Sequence, residues 1–226
     1  MMVKAGFDSV FIGIESPDDV CLTECHKTQN KNRDLLQSVK TIQKAGLQVM
    51  GGFIVGFDSD THSIFQRQID FIQQSGIVAA MVGILQAPPG TRLFDRLKRE
   101  NRVVRTFSGD NVDGTTNILP KMGLDSLLEG YRSIMKQIYS PRNFYRRAGD
   151  LLKEVKAPDI TIPMDFQRVL AFFQSCFRLG VWGKERIHYW RLLLWTLFLK
   201  PRLVPLAVTL AIYGHHYRRI CERYII

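Results

Sequence analysis

Cysteine is scarce in this chain, with four in 226 residues. Cys21, Cys25, Cys176 and Cys221 are too few and too scattered for a disulfide-stapled secreted domain. The first residues also lack the charged and apolar pattern of a signal peptide. We therefore expect a protein of the reducing cytoplasm.

Long apolar runs are lacking as well. No uncharged apolar stretch reaches the ~18 residues that a membrane-spanning helix needs. The longest candidates, 192–199 and 203–214, are separated by Lys200, Pro201 and Arg202. At most, we expect a position peripheral to the inner face of the membrane. The chain is 46% hydrophobic and 11% aromatic, which is enough to form a core and excludes general disorder.

Acidic residues are outnumbered, 21 against 31 basic ones, for a net charge of +10. The imbalance is local, because residues 141–226 hold 15 basic and 6 acidic side chains. Basic residues mixed with tryptophan and phenylalanine suit an anionic membrane surface, a nucleic acid, or helices that pack on other protein. The aliphatic stretch 192–199 favours the membrane over nucleic acid, because base stacking gains little from leucine.

Glycine marks three predicted helix ends, at Gly6, Gly46 and Gly76, since the residue after a helix often takes left-handed backbone angles. Apolar runs follow them and predict strands at 9–14, 48–57 and 78–85. Because these runs hardly alternate with polar residues, we expect strands that are covered on both faces, as in parallel sheets.

Helical periodicity separates these strands. Apolar faces predict helices at 35–42, 64–72 and 91–102, and the polar residues 58–61 offer N-cap chemistry for the second. The order βαβαβα predicts a parallel α/β fold, either a barrel or a doubly wound sheet. Three strands cannot close a barrel, and residues 1–5 resemble the last turn of a helix. This favours a C-terminal part of a larger protein with a missing N-terminal portion; a short open three-layer domain is the alternative.

Ligands of parallel α/β folds gather at the C-terminal ends of the strands. Glu15 stands at the first such end, where its carboxylate could bind a ligand or serve as a helix N-cap or ion-pair partner. At the second end, Gly52, Ile54 and Gly56 could leave room for a flat ring, or could allow close packing of sheet on helix.

Three motifs together resemble a known family. Gly-Ile-Glu-Ser at 13–16, Gly-x-Ile-x-Gly at 52–56 and Pro-Gly-Thr at 89–91, in this order, are similar to the second half of the radical S-adenosylmethionine (radical SAM) barrel. Segments 26–30, 51–65 and 108–117 resemble its cobalamin-binding subgroup, including the hopanoid C-2 methylases. The resemblance implies the C-terminal half of a parallel (β/α) partial TIM barrel at 1–105. Residues 106–123 lack periodicity and predict a loop or seam, and the helical pattern that follows predicts a mainly α-helical C-terminal domain at 124–226.

The resemblance also implies a binding site for S-adenosylmethionine. Glu15 would lie beside its methionyl or ribose part, and Gly52, Ile54 and Gly56 would flank its adenine. Ser59 stands where the family often has glutamate, between Asp58 and Asp60. The full set of implied cofactor-binding residues is Glu15, Ser16, Gly52, Ile54, Gly56, Asp58 and Pro89.

An iron–sulfur cluster of this family needs three closely spaced thiolates. Cys21 and Cys25 have the spacing of the first two ligands, but Thr28 stands where the third would be. They are interpreted as helix residues, and no metal site is predicted in this chain. The [4Fe-4S] cluster and cobalamin are expected only in an intact parent, so whether this chain alone is an enzyme stays open.

The second half offers few candidates for chemistry. Asp110, Asn111 and Asp113 fit turn formation better than substrate or cation binding. His188 and the pair His215 and His216 are interpreted as helix-surface residues, since no ligand partner stands at metal-site spacing. A polar helix is expected to carry Arg142, Arg146, Arg147, Lys153 and Lys156 after a helix that stops at Pro141.

These features together predict a fragment or truncated member of a radical SAM enzyme. Its parent would be a cobalamin-dependent methyltransferase that acts on an unactivated carbon of a lipid-like substrate. One alternative is a non-catalytic membrane-surface or interaction module that retains a half-barrel. The other is an unrelated α/β enzyme that binds phosphate at its strand ends, which the acidic segment 58–61 disfavours.

Overall fold

The fold alternates strands and helices in its first half and is helical in its second. The structure, a computed structural model, describes residues 2–110, 114–156 and 166–225, apart from the side chain of residue 168. The elements are β1 (Ser9–Glu15), α1 (Asp19–Glu24), α2 (Leu35–Lys44), β2 (Gln48–Val55), α3 (Ser63–Ser75), β3 (Ala80–Ile84), α4 (Arg92–Arg99), α5 (Leu124–Ile138), α6 (Pro141–Glu154), α7 (Phe166–Gly180), α8 (Arg186–Leu199) and α9 (Val204–Tyr224). Short 3-10 helices cover Val3–Ala5, Thr28–Asn30 and Pro201–Leu203.

The sheet is parallel, in the order β1-β2-β3. Ile12, Gly51 and Ala80 lie side by side across it. Gly46 and Gly76 end α2 and α3 with φ of +101° and +72°, as the glycine pattern predicts. The predicted α/β class with a small parallel sheet and a largely helical remainder is therefore confirmed.

One face of the sheet carries the core. Phe53, Val55 and Val82 are buried against side chains of α3 and α5. On the other face, Phe11 is 57% exposed and Met81 is 50% exposed. The expectation that both faces are covered is wrong within the described residues.

The local reason is that glycine and large apolar side chains share that second face. Gly13 and Gly52 are neighbours in the register, and Met81 is next to Gly52. A Cβ at Gly52 would lie 2.9 Å from the Phe11 ring, so the missing side chain makes room for this aromatic ring. An unbroken apolar run in the sequence cannot distinguish such a self-packed, half-exposed face from one that lies under a helix.

The helical half packs directly on the sheet half. One hydrophobic cluster includes residues of all three strands and of the helices α5, α6, α8 and α9. Tyr139, just after α5, donates its hydroxyl to the carbonyl of Ala80 in β3 at 2.7 Å. The boundaries 1–105, 106–123 and 124–226 stay a prediction, since these two parts share a core.

In the helical half, the expectation for Pro141 is confirmed and the expectation for Arg147 is wrong. Pro141 does follow the end of α5, but it also begins α6, where a first-turn proline loses no helical hydrogen bond. Arg147 does not lie on a polar surface: it is fully buried, and its Nε donates to the carbonyl of Ile77 at 3.0 Å. A charged residue can lie in the core when hydrogen-bond acceptors from distant segments surround it, and a helical pattern in the sequence does not show such acceptors.

Within the described ranges, no helix combines the length and the apolar character that a membrane span requires.

Candidate functional site at the strand ends

The predicted site residues of the first two strands lie at one edge of the sheet. Because β1 and β2 are parallel neighbours, Glu15 at the end of β1 lies beside Phe53, near the C-terminal end of β2. The register shifts between Gly13 and Glu15, so that Gly13 pairs with Gly52 and Glu15 pairs with Phe53. This irregularity sets the Glu15 side chain at the rim of the sheet.

Glu15 has an unusual backbone. Its φ is +66°, in the left-handed region that costs a residue with a β-carbon about 1 kcal/mol or more. Its carboxylate lies over Gly13, where a Cβ would come within 2.5 Å of Oε1. Lys27 places its Nζ 2.8 Å from the same oxygen. Of the three roles left open by the sequence, the ion pair is observed, and the helix N-cap is excluded because Asp18 caps α1.

The neighbourhood of Glu15 is braced by local hydrogen bonds. Asn30 donates its Nδ2 to the carbonyls of Gly13 and Ile14, at 3.2 and 3.3 Å. Ser16 is buried, and its Oγ accepts from the backbone N–H of Asp18 at 3.2 Å. Ser16 thus shapes the turn that follows β1.

The three residues of the Gly-x-Ile-x-Gly motif at 52–56 have different surroundings. Gly52 accommodates the Phe11 ring, as described above. Ile54 is half-buried against a small apolar cluster that includes Leu85 and Leu97. Gly56 has φ +104°, and a Cβ there would come within 2.9 Å of Leu127 on α5. The contact of sheet on helix left open by the sequence is observed at Gly56, whereas Gly52 contacts a ring of its own sheet.

Asp58 is engaged by two arginines. Its carboxylate accepts from Arg96 at 2.8 Å and from Arg102 at 2.5 and 3.0 Å, and its side chain is 9% exposed. Glu24 accepts from the backbone N–H groups of Asp58 and Ser59, at 3.0 and 2.9 Å. Burial raises the pKa of Asp58, but the hydrogen bonds and positive charge of Arg102 and Arg96 outweigh it, and the net shift is downward. Asp58 joins α4 and the following turn to the end of β2.

We expect this ion cluster to make stability depend on acid pH. Because the folded pKa of Asp58 is lowered, its contribution is present above the unfolded pKa and is lost as pH falls through the folded pKa. Asp58→Asn should therefore lower the free energy of unfolding by about 2 kcal/mol near neutral pH, and by less towards pH 3. Urea unfolding followed by circular dichroism measures both values.

The matched control is Glu129→Gln, which neutralises an exposed carboxylate on α5. It should change the free energy of unfolding by less than about 0.5 kcal/mol at either pH. A cost for Asp58→Asn that stays constant down to acid pH would contradict the assignment.

Asp60, rather than Asp58, holds the turn after β2. It is buried, and it accepts from the N–H groups of Gly56 and Phe57 at 2.7 and 3.0 Å and from the Cys21 thiol at 2.9 Å. Burial raises the pKa of Asp60, and burial together with the Asp60 hydrogen bond raises that of Cys21 to about 12. The expectation that 58–61 cap α3 is wrong, since its N-cap is His62 without a side-chain hydrogen bond.

The third strand end is a rigid turn. Pro89 is exposed, and Thr91 caps α4 by accepting from the N–H of Phe94 at 3.2 Å. The Asn117 side chain accepts from the N–H of Ala87 and donates to its carbonyl, both at 2.8 Å. These two hydrogen bonds fix the chain that leaves β3. The backbone carbonyl of Asp110 accepts from Gln86 Nε2 at 2.7 Å. Asn111 and Asp113, also predicted to form turns, fall outside the described residues.

The cysteines of the first half are helix residues, as predicted. Cys21 lies in α1 and Cys25 directly follows it. Their thiols do not fit a [4Fe-4S] cluster, because Cys21 is buried as a hydrogen-bond donor to Asp60 and burial raises the pKa of both groups. In the described ranges, no three His, Cys, Asp or Glu side chains are grouped to hold a metal ion.

One histidine prediction needs correction. His215 lies partly buried beside the buried Glu185, with Nδ1 2.7 Å from its carboxylate. Arg218 approaches the same carboxylate at 2.6 Å. Sequence spacing missed this pair because 30 residues separate its members.

Comparison with known proteins assigns the chain to a family. A family model described as a domain of unknown function (DUF4070) matches residues 91–225. The chain belongs to this family. Together with the named relatives below, this confirms the predicted place in the cobalamin-binding subgroup of the radical SAM superfamily.

The relatives include three methyltransferases. An uncharacterized methyltransferase of Synechocystis is 32% identical over 98% of this chain and 42% of its own length. The hopanoid C-2 methylase of Rhodopseudomonas palustris is 29% identical over 84% and 37%. The bacteriochlorophyllide d C-12(1)-methyltransferase of Chlorobaculum tepidum is 29% identical over 64% and 31%. The chain thus spans roughly two fifths or less of the length of these relatives.

Proposed function

We propose that this chain supplies the S-adenosylmethionine-binding half-barrel and the helical domain of a cobalamin-dependent radical SAM methyltransferase. Strands β1–β3 would be the C-terminal half of a (β/α) partial TIM barrel, within 1–105, and residues 124–226 the helical domain. The methyltransferase names of three relatives support the reaction class. The single observation that carries the site is the strained Glu15 at the end of β1.

The backbone strain at Glu15 indicates a function for its side chain, because a glycine at this position would avoid the strain. A residue held at φ +66° loses stability, and such positions cluster at binding sites. In this conformation the Glu15 carboxylate lies beside Gly13 and next to the Lys27 ammonium. The Glu15 carboxylate can accept hydrogen bonds from the amino and hydroxyl groups of S-adenosylmethionine, and the Lys27 ammonium can donate to its carboxylate. The residues present therefore fit this cofactor.

The roles of the individual residues follow the resemblance to the radical SAM barrel. Glu15 would accept hydrogen bonds from the amino or hydroxyl groups, and Gly52, Ile54 and Gly56 would line the adenine. Ser16, Asp58 and Pro89 belong to the same proposed site, as residues that fix its turns. Bound S-adenosylmethionine supplies such enzymes with the fragment that removes hydrogen from an unactivated carbon, and cobalamin supplies the methyl group. The [4Fe-4S] cluster does not fit the described residues, and we assign no step to it.

The proposed substrate is lipid-like, and the proposed location is cytoplasmic. A methylase of a hopanoid among the relatives supports the first. The scarce cysteines, whose described members are all free thiols, support the second.

Ligand-detected NMR with S-adenosylmethionine tests the site. The unmodified chain should bind, and Glu15→Gln should weaken binding at least about tenfold, as expected for a lost charged hydrogen bond. Glu129→Gln, which changes an exposed carboxylate on α5, should bind as the unmodified chain does.

Glu15→Gly separates a binding role from a structural one. If Glu15 is strained for binding, this variant should lose binding while its free energy of unfolding stays the same or rises, because glycine tolerates the left-handed region. A variant that is less stable but binds normally would show that Glu15 serves only its ion pair with Lys27, and would contradict the proposal.

A further inference from the structure

The helices α7 and α8 present a broad apolar surface to solvent. On α7 the exposed side chains follow helical spacing, at Phe166, Leu170, Phe173 and Phe177. The corresponding stripe on α8 comprises Ile187, Trp190, Leu194, Leu197 and Phe198, and Trp182 lies between the two helices. These ten residues, 38% to 80% exposed, are called the α7–α8 surface below.

The α7–α8 surface is separate from the side of each helix that packs in the core. The inner sides of the same helices are already packed, since Leu179, Tyr189 and Leu193 are buried in the main cluster. A helix that is apolar on both sides is typical of one with a partner on each side. Exposed apolar patches of this kind mark interaction sites.

Charge around the surface has one sign. Residues 166–202 contain seven basic residues and one acidic residue, Glu185. Glu185 is buried and engaged by His215 and Arg218, so it does not offset the surface charge. The exposed basic residues are Arg178, Lys184, Arg186, Arg191 and Arg202.

We propose that the α7–α8 surface binds an anionic membrane surface. Trp182 and Phe198, each 78% exposed, would enter the boundary between headgroups and acyl chains, and the basic residues would contact anionic headgroups. A second copy of the chain would bring like charges together, and nucleic acid would gain little from the exposed leucines. This inference does not depend on S-adenosylmethionine binding.

Vesicle co-sedimentation tests the proposal. The chain should bind phosphatidylcholine vesicles that contain phosphatidylserine far better than vesicles of phosphatidylcholine alone. Binding should weaken as salt rises from about 0.1 M towards 1 M, where the screening length falls from ~10 Å to about 3 Å.

Variants locate the contact. Trp182→Ala combined with Phe198→Ala should reduce vesicle binding at least about tenfold without unfolding the chain, because neither side chain is buried. Phe7→Ala combined with Tyr224→Ala removes two exposed aromatics outside the surface and should leave binding unchanged. Arg186→Gln with Arg191→Gln should weaken binding to anionic vesicles, whereas Arg92→Gln with Arg105→Gln, exposed elsewhere, should have little effect.

Other occupants of the surface give different results. A dimer in sedimentation velocity that dissociates on Trp182→Ala with Phe198→Ala would identify a second copy instead. Binding to single-stranded nucleic acid without vesicle binding would also overturn the proposal, as would vesicle binding that ignores both anionic lipid and salt.

Discussion

Replacing Arg147 by alanine should lower the free energy of unfolding by about 3–5 kcal/mol. Arg147 on α6 is fully buried, and its Nε donates to the carbonyl of Ile77 at 3.0 Å while Nη1 donates to Gln73 Oε1. Its guanidinium also lies 5.6 Å from the centre of the Phe144 ring. The substitution would leave a cavity and two acceptors without a donor, where the helical half meets α3 and the chain that enters β3.

The positive charge itself is costly at this position. Burial lowers the pKa of Arg147 to about 10, and its Nη2 has no hydrogen-bond partner in the described structure. Arg147→Met, which fills much of the space without a charge, should therefore cost only about half as much as Arg147→Ala. The buried charge thus reduces, but does not cancel, the contribution of this side chain to stability.

Arg146→Ala is the matched control, because the neighbouring arginine is exposed. It should change the free energy of unfolding by less than about 0.5 kcal/mol. Urea denaturation followed by circular dichroism compares the three variants. Equal stability of the Arg147 and Arg146 alanine variants would show that the buried contacts contribute little.

Gly130→Ala should be the second strongly destabilising change, by about 2–3 kcal/mol. Gly130 lies on α5 where it crosses α3, and a Cβ there would lie 2.2 to 2.4 Å from three atoms of the Phe65 ring. These distances are far below van der Waals contact, so either the ring or the helix must move. The ring is partly buried and packs on the main cluster, which limits its freedom.

Gly149→Ala is the informative control, since it makes the same change in the middle of α6. Its nearest neighbour would be Leu192 Cδ1 at 3.7 Å, an ordinary contact. The alanine should raise the free energy of unfolding by about 0.5–1 kcal/mol through helix propensity. Thermal and urea unfolding should thus give opposite signs for the two variants; the same sign would contradict the close approach of α5 to α3.

The double variant Gly130→Ala with Phe65→Ala tests the contact itself. If the alanine methyl clashes with the ring, removing the ring should recover part of the loss, and the two effects should not add. Additive effects would place the cost elsewhere on α5.

Local patterns were enough to predict the three strands and the helices α2, α3 and α4. The ends of α2 and α3 follow from Gly46 and Gly76, whose left-handed angles are a property of glycine itself. The end of α5 follows from Pro141, which stands three residues beyond its last residue, Ile138. These features depend on neighbours in sequence.

Features that depend on distant residues were missed. Arg147 was predicted on a polar surface because its acceptors, Gln73 and Ile77, lie about 70 residues away. The pairing of Glu185 with His215 is hidden for the same reason. The exposed sheet face was missed because an apolar run does not show what lies above it.

The candidate site was predictable in position but not in detail. Strand ends and the family motifs located Glu15, yet its left-handed backbone arises from the register shift, which no residue pattern signals. Asp58 and Asp60 are equivalent in sequence terms. Only the fold shows that Arg96 and Arg102 engage Asp58, while Asp60 accepts from the backbone of Gly56.

Hydrogen–deuterium exchange with and without S-adenosylmethionine tests the central claim most directly. We expect the cofactor to slow exchange of the backbone amides in 13–16 and 52–58, and we expect this protection to be lost in Glu15→Gln. Exchange in α7 and α8 should not change. Protection confined to the helical half, or no protection at saturating cofactor, would contradict a binding site at the strand ends.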